Sequence, residues 1–122
     1  MDICVKRVYE PFEESDGYRV LVDRLWPRGL TKERVHCNEW EKAVAPSTEL
    51  RHFFGHDPAK WDEFRKRYVA ELNANPEAAA FVQQLKSLEV AAYPRVTLLF
   101  AAKNETENEA VVLQQWLINQ LG

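Results

Sequence analysis

Apolar residues alternate or run continuously in some stretches and recur every three or four positions in others, which separates strands from helices. Ile3-Cys4-Val5-Lys6-Arg7-Val8-Tyr9 reads as a first strand that Pro11 ends. Asp16-Gly17 marks a turn. Tyr18-Arg19-Val20-Leu21-Val22-Asp23 reads as a second strand, apolar on both faces at its centre and so suited to the middle of a sheet. Val96-Thr97-Leu98-Leu99-Phe100-Ala101-Ala102 is a third of the same kind. The stretch 35–45 fits no single element, although Trp40 could anchor a strand.

Helices are marked by their caps. Ser47 precedes a short helix over 48–54 that Gly55 stops. Asp57-Pro58 opens a longer one, with Trp61, Phe64, Tyr68 and Leu72 on one face. Asp62 with Lys66 and Glu63 with Arg67 are spaced as ion pairs on its wet face. Residues 77–88 form a third helix with Phe81, Leu85 and Leu88 inward. The last helix is expected to start at Thr106, with Glu109 closing a capping box and Leu113, Leu117 and Leu121 buried. Two-sided apolar strands alternating with amphipathic helices predict an α/β fold with a largely parallel sheet flanked by helices. An α+β arrangement is the alternative, because about eight residues between the first two strands are too few for a helical crossover and would suit an antiparallel pair.

The chain of 122 residues and 14.2 kDa has room for one domain, 1–122. Its 46% hydrophobic and 29% charged residues are those of a globular protein. Two cysteines, Cys4 and Cys37, are too few for a disulfide scaffold, so a reduced, cytoplasmic setting is expected. No apolar run approaches the roughly 20 residues of a membrane helix. A net charge of −3 argues against a dedicated nucleic-acid binder.

Ligands of open α/β sheets bind beyond the carboxyl ends of the strands. There the second strand runs into Asp23-Arg24-Leu25-Trp26-Pro27-Arg28-Gly29, and the third into Lys103-Asn104-Glu105. Between 19 and 34, five basic side chains stand against two acidic ones, a local surplus of three in an acidic chain. Arginine forks suit carboxylates and phosphates. The candidate ligand is therefore a small anion, held by Arg24, Arg28 and Arg51 with Ser47 and Asn104. Asp23 and His56 are candidates to move protons, and Lys103 to stabilise developing charge. Each has a plainer role beside it: Ser47 as an N-cap, Asp23 as an ion-pair partner, His56 as a loop cap, the arginines as surface pairs. His52, His56 and Cys37 invite a metal reading, but Gly55 separates the histidines and no motif spacing supports it, so no metal is assigned. No Gly-rich phosphate loop, dinucleotide fingerprint or nucleophile elbow occurs, and no cofactor is assigned.

The string Val20-Leu21-Val22-Asp23-Arg24-Leu25-Trp26-Pro27-Arg28-Gly29-Leu30 resembles the signature of the YeaO-like family, domain of unknown function 488. The resemblance runs on through Ala45-Pro46-Ser47, Glu49-Leu50-Arg51, Phe54-Gly55-His56-Asp57-Pro58 and the 96–103 segment, and covers nearly the whole chain. It implies one compact α/β domain from a family of small bacterial and archaeal proteins with no established activity. A related branch carries a Cys-His-Arg run early in the last helix. Here Asn108-Glu109-Ala110 stands in that place, so chemistry resting on the run is absent or altered. Two other classes compete with a ligand-binding protein or enzyme. One is an interaction module using Trp26, Trp40 and Phe53; the other is nucleic-acid association through 19–34, which the net charge weakens. An exposed sheet edge would also allow a homodimer.

Overall fold

The computed structural model describes residues 1–90 and 93–122. Four parallel strands form one sheet: β1 (Asp2–Arg7), β2 (Tyr18–Leu21), β3 (Glu39–Trp40) and β4 (Arg95–Phe100), in the spatial order β1-β4-β2-β3. The expected α/β architecture with a parallel sheet is present. The antiparallel alternative for the first two strands is not realised, because β4 lies between them and pairs in parallel with both. Ten residues, 8–17, make the return from β1 to β2. A six-residue strand rises about 20 Å, and ten extended residues reach roughly 33 Å, so a loop with one 3-10 turn (Glu14–Asp16) suffices without a helix. The ambiguous 35–45 stretch contains β3, two residues that pair with Val20 and Leu21 at the sheet edge.

The helices are α1 (Lys32–Val35), α2 (Thr48–Phe54), α3 (Trp61–Ala74), α4 (Pro76–Val90) and α5 (Glu109–Leu121). The side-chain alternation of the strands divides the interior in two. Ile3, Val20, Val96, Leu98 and Phe100 face α2 to α5 and join Phe64, Tyr68, Phe81, Leu85, Leu113 and Leu117 in the main core. Leu21 and Leu99 face the other way, where Val8 and Val35 with Trp26 and Trp40 make a smaller cluster. One face of the sheet is thus covered by four helices and the other by α1 and loops.

That second face also carries a buried charge network. Arg19 is fully buried: its guanidinium pairs with Asp16 and donates to the carbonyls of His36 (2.9 Å) and Val35 (2.7 Å). Lys6 reaches the same Asp16 carboxylate at 3.0 Å. Burial opposes ionisation of Asp16, but the Glu13 amide, Lys6 and Arg19 outweigh it and hold the carboxyl below its usual range. The network fastens both covering loops to the sheet.

Two local expectations change. The last helix begins at Glu109 with Asn108 as its cap, accepting from the Val111 amide at 3.1 Å. Thr106 does not cap it, because its amide and hydroxyl are both drawn to the Asn104 side chain. On α3, Glu63 pairs with Arg67 as spaced (2.8 Å), whereas Asp62 pairs with Arg65, one turn position earlier than Lys66.

Candidate functional site

Beyond the carboxyl ends of β2 and β4 the chain opens into a cavity of about 970 Å³. Its walls come from the β2–α1 loop, α2 and the turn after it, the β4–α5 loop, and the first residue of α5. Two neighbouring parallel strands diverge here into different loops, which leaves a crevice in the way expected of open α/β sheets.

Asp23 holds the floor together. Val22 still donates to Leu99 (3.1 Å), and one residue later the Asp23 Oδ2 accepts from the Ala101 amide at 2.9 Å. The Asp23 carbonyl accepts from the Trp40 indole at 2.7 Å. Its Oδ1 is buried and meets no fixed donor. The Glu109 carboxyl lies within hydrogen-bonding reach of Asp23. Burial first, and then the Asp23 carboxylate, push the Glu109 pKa well above its usual value, against the opposing pull of Arg51. A carboxyl pKa raised in this way beside a second carboxyl favours the protonated form of Glu109.

The cations around this pair fall into two kinds. Arg24 is occupied: it donates to the carbonyls of Ala45 and Pro46 at 3.2 Å and pins the loop to the start of α2. Arg28, Arg51 and Lys103 line the cavity, and none has a side-chain hydrogen bond or ion pair among the described residues. Arg51 projects from α2 and is half-buried; Arg28 and Lys103 are exposed. His56 is on the wall as well, its ring 6.1 Å from that of Phe54, after Gly55 (φ 51°) and His56 itself (φ 58°) have turned the chain out of α2. His52 lines the same cavity, whereas Cys37 packs in the small cluster on the second face. Among the described residues no cluster of three or more His, Cys, Asp or Glu is placed to hold a metal ion.

The remaining candidates serve the frame. Asn104 lines the cavity, but its Oδ1 accepts from the Thr106 and Glu107 amides (3.0 and 2.9 Å), and its carbonyl accepts from the Asn108 side chain (2.9 Å). Ser47 is off the wall: it caps α2 through Leu50 and donates to Glu71 at 2.5 Å. The structure therefore brings together Asp23, Arg24, Arg28, Arg51, His56, Lys103 and Asn104, and leaves Ser47 apart. Trp26 and Trp40 pack edge-to-face over the second-face cluster, while Phe53 lies on the main core between Lys60 and Arg67, so the three form no common patch. Sequence reasoning missed Glu109 as a site residue because the capping-box pattern from Thr106 absorbed it. The signal was Asn108, a stronger cap than threonine, which puts the next residue at the first helical position and at the cavity.

Comparison with known proteins places the chain. The model of the family described as "Inactive DUF488-N3 subclade" matches residues 2–122. "Uncharacterized protein YeaO" of Escherichia coli (strain K12) is 48% identical over 118 residues, 96% of this chain and 97% of that protein. "Uncharacterized protein Rv3073c" of Mycobacterium tuberculosis (strain ATCC 25618 / H37Rv) is 42% identical over 115 residues, 94% of this chain and 92% of that one. No solved structure matches. Matched almost end to end in both family model and relatives, the chain belongs to the YeaO-like DUF488 family, within its inactive N3 subclade.

Proposed function

We propose that this protein binds a small anionic ligand in the cavity beyond β2 and β4, with Arg51, Arg28 and Lys103 as its cationic contacts. One observation carries the reading: three cationic side chains line a single cavity, and among the described residues none of them makes a side-chain hydrogen bond or ion pair. Other buried or half-buried arginines are used up, Arg19 on Asp16 and, on the same cavity, Arg24 on Ala45 and Pro46. A half-buried arginine left open at a cavity is suited to a charge-assisted fork with an oxyanion. Asp23, His56 and Lys103 contact the ligand in this reading, and no turnover is assigned to them. The description of the matched family as inactive favours binding without turnover.

The test is a thermal-shift series on wild type, Arg51→Ala and Arg28→Ala against phosphate, sulfate, nucleotides and sugar phosphates. A ligand at roughly 100 times its Kd stabilises the folded state by about 2.7 kcal/mol, a rise of roughly 10 °C in Tm for a domain of this size. A wild-type shift that Arg51→Ala abolishes supports the proposal. No shift from any anion at millimolar concentration refutes it.

A further inference from the structure

The same cavity contains a feature that a plain anion site does not need, an acceptor among the cations. Asp23 and Glu109 together present four carboxyl oxygens to one wall of the cavity, and the raised Glu109 pKa favours a proton on that side chain. Asp23 Oδ2 is taken by the Ala101 amide. Asp23 Oδ1 is buried without a fixed donor, and the Glu109 carboxyl is the group within reach of it. A protonated Glu109 therefore has the unpartnered Asp23 Oδ1 as its acceptor. One Glu109 oxygen is left over, and it is an acceptor. Glu109 lines the cavity with Arg51, whose charge acts on it directly. The other charged or titratable groups on these walls are Tyr9, Arg24, Arg28, His52, His56 and Lys103, with buried Tyr68 behind on α3. Tyr68 donates to the Val44 carbonyl and has no proton to spare for Glu109.

Arg51 and Glu109 line the same cavity, so an anion seated on Arg51 that reaches the Glu109 wall sets one of its oxygens against that Glu109 oxygen. Two acceptors facing each other repel and stay unsatisfied; an O–H on the ligand turns the contact into a hydrogen bond. We propose that the cavity selects oxyanions that retain an O–H, as hydrogen phosphate and the monoanion of a phosphate monoester do, over proton-free anions such as sulfate. This rests on the anion-binding reading above and adds the ligand's protonation state to it. Leaving the half-buried Glu109 acceptor unsatisfied costs about 1 kcal/mol or more, so sulfate is expected to bind at least about fivefold more weakly than phosphate.

Isothermal titration of the full chain with inorganic phosphate, sulfate and glycerol phosphate at matched ionic strength and pH 7 tests this. The expected result is that phosphate or glycerol phosphate binds at least about fivefold tighter than sulfate, and the tighter of the two identifies free anion or monoester. Glu109→Gln keeps a donor for Asp23 Oδ1 and an outward carbonyl oxygen, so the preference persists. Glu109→Met removes the acceptor, and the preference collapses toward unity. Equal phosphate and sulfate affinity in the wild type overturns the selection while leaving the anion site intact. Absence of binding by all three overturns both. If Glu109→Met does not fold, the wild-type ratio and the Glu109→Gln ratio decide alone. A Gln variant that loses the preference while the wild type shows it also overturns the assignment to Glu109.

Discussion

At the scale of single residues, two carboxyls with opposite shifts govern how stability depends on pH. Glu109 is held protonated by burial and by Asp23, so the folded state binds a proton that the unfolded chain releases in the ordinary glutamate range. Its stabilisation is full below that range and is lost as pH rises through the higher folded value. Glu109→Gln mimics the protonated form. Denaturant unfolding from pH 5 to 9 is expected to show the wild type weakening on the alkaline side and the variant staying flatter across the same span. Asp16 works with the reverse sign. Its folded pKa is depressed, so its stabilisation is present above the ordinary aspartate range and is lost as pH falls through the lower folded value. Asp16→Asn leaves the fully buried Arg19 as an uncompensated charge, while Lys6 keeps its pairing with Glu13. Breaking such a network from one side costs about 3 kcal/mol or more, and urea unfolding at pH 7 measures it.

At the scale of elements, the joints are more vulnerable than the middles. Gly17 enters β2 with φ 69°, and a Cβ there would sit 2.2 Å from the Arg95 carbonyl oxygen. Gly17→Ala therefore meets both a left-handed backbone and a neighbouring strand that cannot give way. A loss of about 3 kcal/mol is expected, read as a fall in the urea midpoint. Asn108→Ala removes the cap of α5 and the tie to Asn104 together. Its cost is about 1 kcal/mol in stability, and the anion response is expected to weaken with it, because the cap aims Glu109. Elements of this kind were legible to different degrees. β2 and β4 stand out as two-sided apolar runs, and α3 is written in Trp61, Phe64, Tyr68 and Leu72. β3 carries almost no local signal, being two residues fixed only by Val20 and Leu21 beside it. Which strands neighbour one another is a long-range choice, and nothing between residues 8 and 17 announces that β4 will come between β1 and β2. Of the site, the basic and acidic residues at the strand ends could be read directly. That Arg24 and Ser47 are committed to the frame, and that Glu109 is not, depended on partners 20 to 90 residues away.

At the scale of the whole molecule, the sheet divides its two tasks between its ends and faces. The helical face stores the bulk of the apolar core, the opposite face is tied down by the Arg19 network, and the carboxyl ends of β2 and β4 are left to hold a cavity. Arg51 makes no side-chain hydrogen bond or ion pair among the described residues, so Arg51→Ala is expected to change intrinsic stability by less than about 0.5 kcal/mol, while the anion-dependent rise in Tm disappears. The burial of Arg19 also shrinks the exposed basic set of the 19–34 segment to Arg28, Lys32 and Arg34, with Arg24 tied inward. The strand order has a further effect in time. A ribosome delivers β1 and β2 early, but the strand that sits between them emerges some 75 residues after β2 begins. Until then the edges of β1 and β2 that face β4 have nothing native to pair with, and the newborn chain passes most of its synthesis without the strand that joins them. Topologies of this kind fold slowly and leave the unfinished chain open to aggregation. A nascent chain stalled before residue 95 is therefore expected to be protease-sensitive and to bind holdase chaperones, and the released 122-residue chain, with β4 and α5 both in place, to escape both.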